Sequence, residues 1–142
     1  MSSVPQSPAI TPSAVTAVAI SKKAIWVGRV ISAIPVLLML FSAILKFLKP
    51  APVLQGFAHA GYPESQIFII GVLETLSCIV YLIPRTAVLG AILMTGYLGG
   101  ATATNVRIGD PSFVVTVLLG VFVWLGVYLR DERVRELIPL RS

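Results

Sequence analysis

Four apolar runs, at residues 25–45, 67–83, 87–103 and 113–129, restrict what this chain can fold into more than any other feature. Each is about 17–21 residues long, the length a helix needs to cross the hydrocarbon core of a bilayer at about 1.5 Å per residue. The breaks between them are sharp. "KPAP" closes the first run, "GYPES" precedes the second, "PR" divides the second from the third, and "RIGDP" opens the fourth. Inside a bilayer no water satisfies open backbone groups, so each run must close its hydrogen bonds on itself as a helix. The predicted fold is therefore all-α, an integral membrane four-helix bundle. The Pro84-Arg85 turn is so short that the second and third helices must form an antiparallel hairpin.

Composition supports this class. The chain is 56% hydrophobic and 12% charged, against about 45–50% and 25% for a soluble domain. Its net charge of +5 does not point to nucleic acid, because the basic residues flank apolar spans instead of forming a patch or arm. Those residues set the orientation. With both termini cytoplasmic, eight Lys and Arg fall on the inner side, from Lys22, Lys23 and Arg29 through Arg85 to Arg130, Arg133, Arg135 and Arg141. Three, Lys46, Lys49 and Arg107, fall outside. The bias satisfies the positive-inside rule and implies a multi-pass membrane protein with both termini cytoplasmic. Arg29, close to the inner end of its span, is expected to snorkel to the headgroups. Trp26, Trp124, Tyr62 and Tyr128 near span ends suit the interfacial aromatic belts.

The first 21 residues, rich in Ser, Pro, Ala and Thr, carry no positive charge before Lys22 and no large apolar residues at helical spacing. They read as a disordered tail without a cleavable leader, ahead of a transmembrane domain over 22–142. In the first outer loop, Val53, Leu54 and Phe57 at helical spacing predict a short capping helix, with Gly61 placed to stop it. The final segment, with Val134, Leu137 and Ile138 among charges, suits either a short amphipathic helix on the inner surface or a solvated anchor.

One residue interrupts the second run: Glu74. Helical spacing puts it on one face with Ile67, Ile70, Gly71, Ser77, Cys78 and Tyr81, while Phe68, Val72, Leu76, Ile79 and Ile83 form the opposite side. The small, polar face should turn into the bundle, since a central charge facing lipid costs roughly 2.5–3.5 kcal/mol on insertion scales. Seven residues from Ile67, Glu74 lies about 10 Å below the outer interface. Lys46, Arg107, His59 and Asp110 come from the same side. The third span ends "GYLGGATATNVR", where Gly96 and Gly100 form a small-residue pair, and Thr102, Thr104, Asn105 and Arg107 add polar groups. Together they predict an outer-half polar pocket with Glu74, Lys46, Arg107, Asn105, Thr102 and His59 as candidate ligand-binding residues. Two roles for Glu74 stay open. It is either a structural carboxylate paired with Lys46 or Arg107, or a functional one that relays protons or binds a ligand.

Other chemistry finds no support. A bis-histidine haem needs two helix histidines, and His59 is alone, in a loop. No Cys/His cluster offers a zinc site, no Gly-rich phosphate loop follows a strand, and the single cysteine, Cys78, reads as a packing residue. No catalytic residue is assigned and no cofactor is encoded.

The fragments "GYPES", "GVLE", "IPRTAVLGAILMTGYLGGATATNVR" and "LGVYLRDERVRELIPLR", in this order, resemble the DoxX-like family of small bacterial membrane proteins. The resemblance covers nearly everything from Trp26 to Arg141. It implies a four-helix membrane bundle and places the family's helix-two acid on Glu74. It also places the helix-three Gly-Gly-Ala stretch on Gly99, Gly100 and Ala101, and the following basic residue on Arg107. Asn105 departs from the His that relatives often carry there, which removes a proton-handling group. Named relatives associate with a terminal oxidase, with thiosulfate–quinone oxidoreduction and with redox-defence enzymes. The resemblance thus implies an accessory subunit of a membrane redox system, with quinone as the candidate ligand and a redox protein or a second copy of the chain as candidate partner. A small transport or lipophile-binding module and a pure scaffold are the competing readings.

Overall fold

The computed structural model describes residues 21–137, and within them there are six α-helices and no strand. Helices α1 (Lys22–Leu48), α3 (Glu64–Leu82), α4 (Ala87–Ile108) and α5 (Phe113–Arg130) are long and apolar enough to cross a membrane. They form a four-helix bundle in which α1 and α4 each pack between α3 and α5. The expected tail lies outside the described residues except for Ser21, whose hydroxyl accepts from the Ala24 N–H and caps α1. The bundle has two distinct ends. At the hairpin end α1 begins, α3 turns into α4 through the 3-10 turn Pro84–Thr86, and α5 finishes. At the other, capped end lie α2 (Ala51–His59) and the α4–α5 turn.

Local chemistry explains the capped end. Lys49 takes a left-handed conformation (φ 49°) after α1, and Pro50 follows, so the chain leaves one helix and starts another within two residues. Gly61 (φ 78°) ends α2, with the Gly61 N–H on the Ala58 carbonyl and the Tyr62 N–H on the Phe57 carbonyl. This bonding satisfies the last carbonyls and brings the residue after the glycine against the last turn. The Phe57 and Tyr62 rings accordingly meet with centroids 5.9 Å apart. Gly109 (φ 71°) ends α4 in the same way, so that helix runs beyond the apolar stretch, through Thr102, Thr104 and Asn105, to Ile108.

The bundle is two-faced along every helix. In α3 the buried residues are Ile67, Gly71, Glu74, Ser77, Cys78 and Tyr81, the face anticipated from spacing, while Phe68, Leu76, Ile79 and Ile83 are exposed. Large apolar side chains such as Trp26, Leu37, Phe41, Ile92 and Val121 cover the outside. Such a surface suits a hydrocarbon solvent and not water. The core concentrates near the hairpin end, around Met39, Cys78, Tyr81, Met94, Val123 and Val127. There the helices touch backbone to backbone: a Cβ on Gly90 would run into the Tyr81 main chain, and one on Gly126 into Ser32. The Tyr81 hydroxyl lies 2.9 Å from both the Val123 carbonyl and Ser32 Oγ, tying three helices through one group. Val134 of α6 (Glu132–Leu137) is buried against this core, so α6 docks on the bundle by that side chain. Ile138 lies outside the described residues.

Candidate functional site

Lys46 and Glu74 meet in the capped-end half. Lys46 is on the last turns of α1 and belongs to its buried face, with Ala43 and Met39 one and two turns earlier. Glu74 is on the buried face of α3. The helices approach closely because Gly71 presents no side chain. A Cβ there would come within 3.2–3.4 Å of Lys46 and Phe47. The Lys46 ammonium lies 2.8 Å from Glu74 Oε2, with side chains only 10% and 3% exposed. It also donates to Ser42 Oγ, one turn back on α1, at 2.5 Å. The Tyr97 ring of α4 lies 6.0 Å from the ammonium.

This pair lines a cavity of about 660 Å³ in the capped-end half. The cavity exists because the two halves of the bundle pack differently. Near the capped end, α1 and α3 stay tightly joined through Gly71 and the edge-on Phe47–Phe68 contact, ring centroids 5.6 Å apart. On α5, in contrast, no residue before Val123 is buried, and on α4 none after Leu98. The α4–α5 pair is held together there by its own bond, Thr102 to Thr116 at 2.7 Å. The space between the two helix pairs is lined chiefly by apolar groups, among them Leu38, Met39, Leu45, Phe57 and Leu119. Lys46, Glu74 and Tyr97 form its polar wall, and Tyr62, Thr104, Asn105 and Asp110 lie toward the cap. The α2–α3 link closes over it. Tyr62 is hydrogen-bonded to Thr104 at 2.8 Å, and the Arg107 guanidinium donates to the Ala60 carbonyl.

Of the six residues predicted from sequence, three line this cavity: Glu74, Lys46 and Asn105. Thr102 faces α5 and bonds Thr116. Arg107 fastens the end of α2, and His59 is an exposed residue on that helix. The partner of Glu74 is therefore Lys46 and not Arg107. Sequence reading passed over Ser42 and Tyr97. Ser42 is one helical turn from Lys46, on the same face. Tyr97 is a tyrosine in mid-span, eleven residues before the end of α4, away from the interfacial belt where membrane tyrosines usually sit. Either signal was available. Outside the spans, Asp110 holds the Ser112 N–H at 2.8 Å, and its carboxyl is lowered from the usual range by the hydrogen bonds from Ser112 and by nearby His59. Gly96 and Gly100 are exposed, and a Cβ on either would meet nothing within 4 Å.

The chemistry available is that of a neutral donor–acceptor unit. An ammonium has three protons, of which Glu74 and Ser42 take two, and a carboxylate has about four acceptor positions. The unit can thus donate to a ligand carbonyl and accept from a ligand hydroxyl. Among the described residues no group of three or more His, Cys, Asp and Glu could hold a metal ion.

Neither a curated protein nor a solved structure matches the chain. The family model that matches is described as the DoxX-like family, over residues 30–126, from the first helix to near the end of the fourth. With more than half of its length matched and four apolar helices in one bundle, the chain belongs to the DoxX-like family and is a multi-pass membrane protein.

Proposed function

We propose that this protein is an accessory subunit of a membrane redox system, which holds a quinone, or a lipophile of the same head chemistry, in the capped-end cavity. The observation that carries the reading is the Lys46–Glu74 pair on the wall of an otherwise apolar cavity of about 660 Å³. Ligand sites of this size join apolar walls to a few placed polar groups. A quinone carbonyl needs a donor and a quinol hydroxyl an acceptor, and the pair supplies both. The redox setting rests on the associations of DoxX-like relatives. The charge bias supports an orientation with both termini cytoplasmic and the cavity in the outer half of the membrane, and the DoxX-like relatives support a bacterial inner membrane. Transport is the weaker reading because the cavity stops at mid-membrane. Toward the hairpin end the bundle is packed shut around Tyr81, Gly90 and Gly126.

Protein solubilised in mild detergent and analysed for extracted quinone tests the proposal. Quinone should copurify at a fixed ratio and be lost in Glu74→Gln. A preparation free of quinone, from cells whose membrane redox activity survives deletion of the gene, defeats it. Proton or ligand movement across liposomes that depends on Glu74 would instead establish transport.

A further inference from the structure

The cavity is unequally closed. Toward the aqueous side of the capped end it lies under the α2–α3 link, fixed by the Tyr62–Thr104 bond and by Arg107 on the Ala60 carbonyl. Ala60 itself is buried. Toward the lipid side, α1 and α5 approach closely at the hairpin end, where a Cβ on Gly28 would come within 3.0 Å of the Gly126 carbonyl, whereas a Cβ on Gly120 of α5 would meet nothing within 4 Å. Further along they have no such seal. Leu38 and Phe41 line the cavity, yet they are 49% and 61% exposed on the outside of the bundle. A side chain can do both only where the cavity reaches the lipid-facing surface. Across from them on α5, Thr116 and Leu119 line the same space, and neither is buried.

We infer that the ligand enters sideways, from the bilayer leaflet on the capped side, through an opening between α1 and α5 bounded by Leu38, Phe41, Thr116 and Leu119. We further infer that it carries its polar head on an apolar tail, which remains in this opening. The inference rests on the ligand reading above and narrows its class. A head of hydrogen-bonding size reaches Lys46, Glu74 and Tyr97, and the tail lies along Leu38 and Phe41 toward lipid. A water-borne compound would have to pass the Tyr62–Thr104 link. A lipid-borne one meets an apolar wall all the way to the ion pair and leaves its tail in hydrocarbon, where its transfer costs little. On the α5 side the rim is fixed, because the Thr116 hydroxyl is bonded to Thr102 of α4.

Plugging each side in turn tests this. Leu38→Cys and Thr116→Cys mark the lateral opening and His59→Cys the aqueous face of the cap, each in a Cys78→Ala background in lipid nanodiscs. Every variant is compared with itself before and after reaction with a bulky apolar thiol reagent, using a benzoquinone that bears a ten-carbon alkyl chain as probe. Modification at position 38 or 116 should weaken binding by about tenfold or more, a change large enough to separate a blocked path from scatter. Modification at position 59 should change it less than about twofold. The reverse pattern overturns lateral access and leaves the proposed function standing. A second measurement does not depend on the quinone. A photoreactive benzophenone amino acid in place of Tyr97 should crosslink to a phospholipid acyl chain, and the adduct should fall when position 38 is plugged. No lipid adduct, or one indifferent to the plug, refutes the opening. Absence of quinone binding by the unmodified protein removes the proposed function, and the crosslink then decides access by itself.

Discussion

Near the hairpin end, α3 and α4 meet with the Gly90 position against the Tyr81 backbone, Gly28 and Gly126 bring α1 and α5 together, and one tyrosine hydroxyl ties three helices. Near the capped end the same four helices part into two pairs, around a cavity with a buried ion pair on its wall. Small residues occur in both halves, but only those near the hairpin end lie in the contacts between α4 or α5 and their neighbours. Gly96, Gly99 and Gly100, in the capped half of α4, have no atom within 4 Å of a would-be Cβ. In the hairpin half α4 and α5 meet their neighbours at glycine, and in the capped half they do not, so substitutions should affect the two differently.

The largest effect should come from separating the ion pair. Lys46→Met leaves Glu74 buried without its counter-charge and should cost about 3–5 kcal/mol, read as lowered stability to denaturing detergent in mixed micelles. The double variant Lys46→Met, Glu74→Leu should recover most of that loss, because two apolar side chains no longer need each other. If the double variant is as unstable as the single one, the pair is not the polar element that organises the capped half. Next comes shape. Gly90→Ala forces α3 and α4 apart and should cost about 1–3 kcal/mol in the same assay, whereas Gly96→Ala should leave stability unchanged. Equal losses at the two positions would erase the contrast between the halves.

Tyr81→Phe removes the hydroxyl shared by Ser32 and Val123 and should cost about 1–2 kcal/mol. Thr116→Val, which breaks the α4–α5 bond beside the cavity, should cost about 0.6 kcal/mol, the average for interhelical bonds in membranes. A loss at Thr116 above that at Tyr81 would move the polar anchor of the bundle to the capped end. The smallest effect belongs to Asp110. Its carboxyl is lowered by the Ser112 hydrogen bonds, so the charged form is favoured in the fold. Its contribution is complete above the ordinary aspartate range and is lost as pH falls through the lowered value. Once the intrinsic pH dependence of amide exchange is removed, exchange at Ser112 in the wild type should rise on acidification toward that of Asp110→Ala, which lacks the acceptor. A wild-type rate that shows no such rise once the pH dependence of the variant is subtracted would contradict the capping role.

Much of this arrangement was legible in advance. The four spans and the buried face of α3 followed from hydropathy and from helical spacing around Glu74, because the lipid side of a membrane helix tolerates only apolar groups. The short helix α2 was legible too, since Val53, Leu54 and Phe57 precede a glycine able to take positive φ. The composition of the site was read less fully. Thr102, Arg107 and His59 have the right chemistry at the right depth, but their direction depends on the rotation of α4 and on the course of α2. Neither is fixed by a pattern within one segment.

What the sequence determined by itself is the number of helices, their break points and the inward face that brings Glu74 out of lipid. These are decided segment by segment, by the cost of polar groups in hydrocarbon and by the backbone preferences of Pro and Gly. Which cation meets Glu74, and whether a cavity opens beside the pair, were decided only by the tertiary structure. Both depend on distances between helices. Gly71 lets α1 close on α3 and delivers Lys46, while α4 and α5, joined to each other through Thr102 and Thr116, stay apart from that pair and leave the space between them.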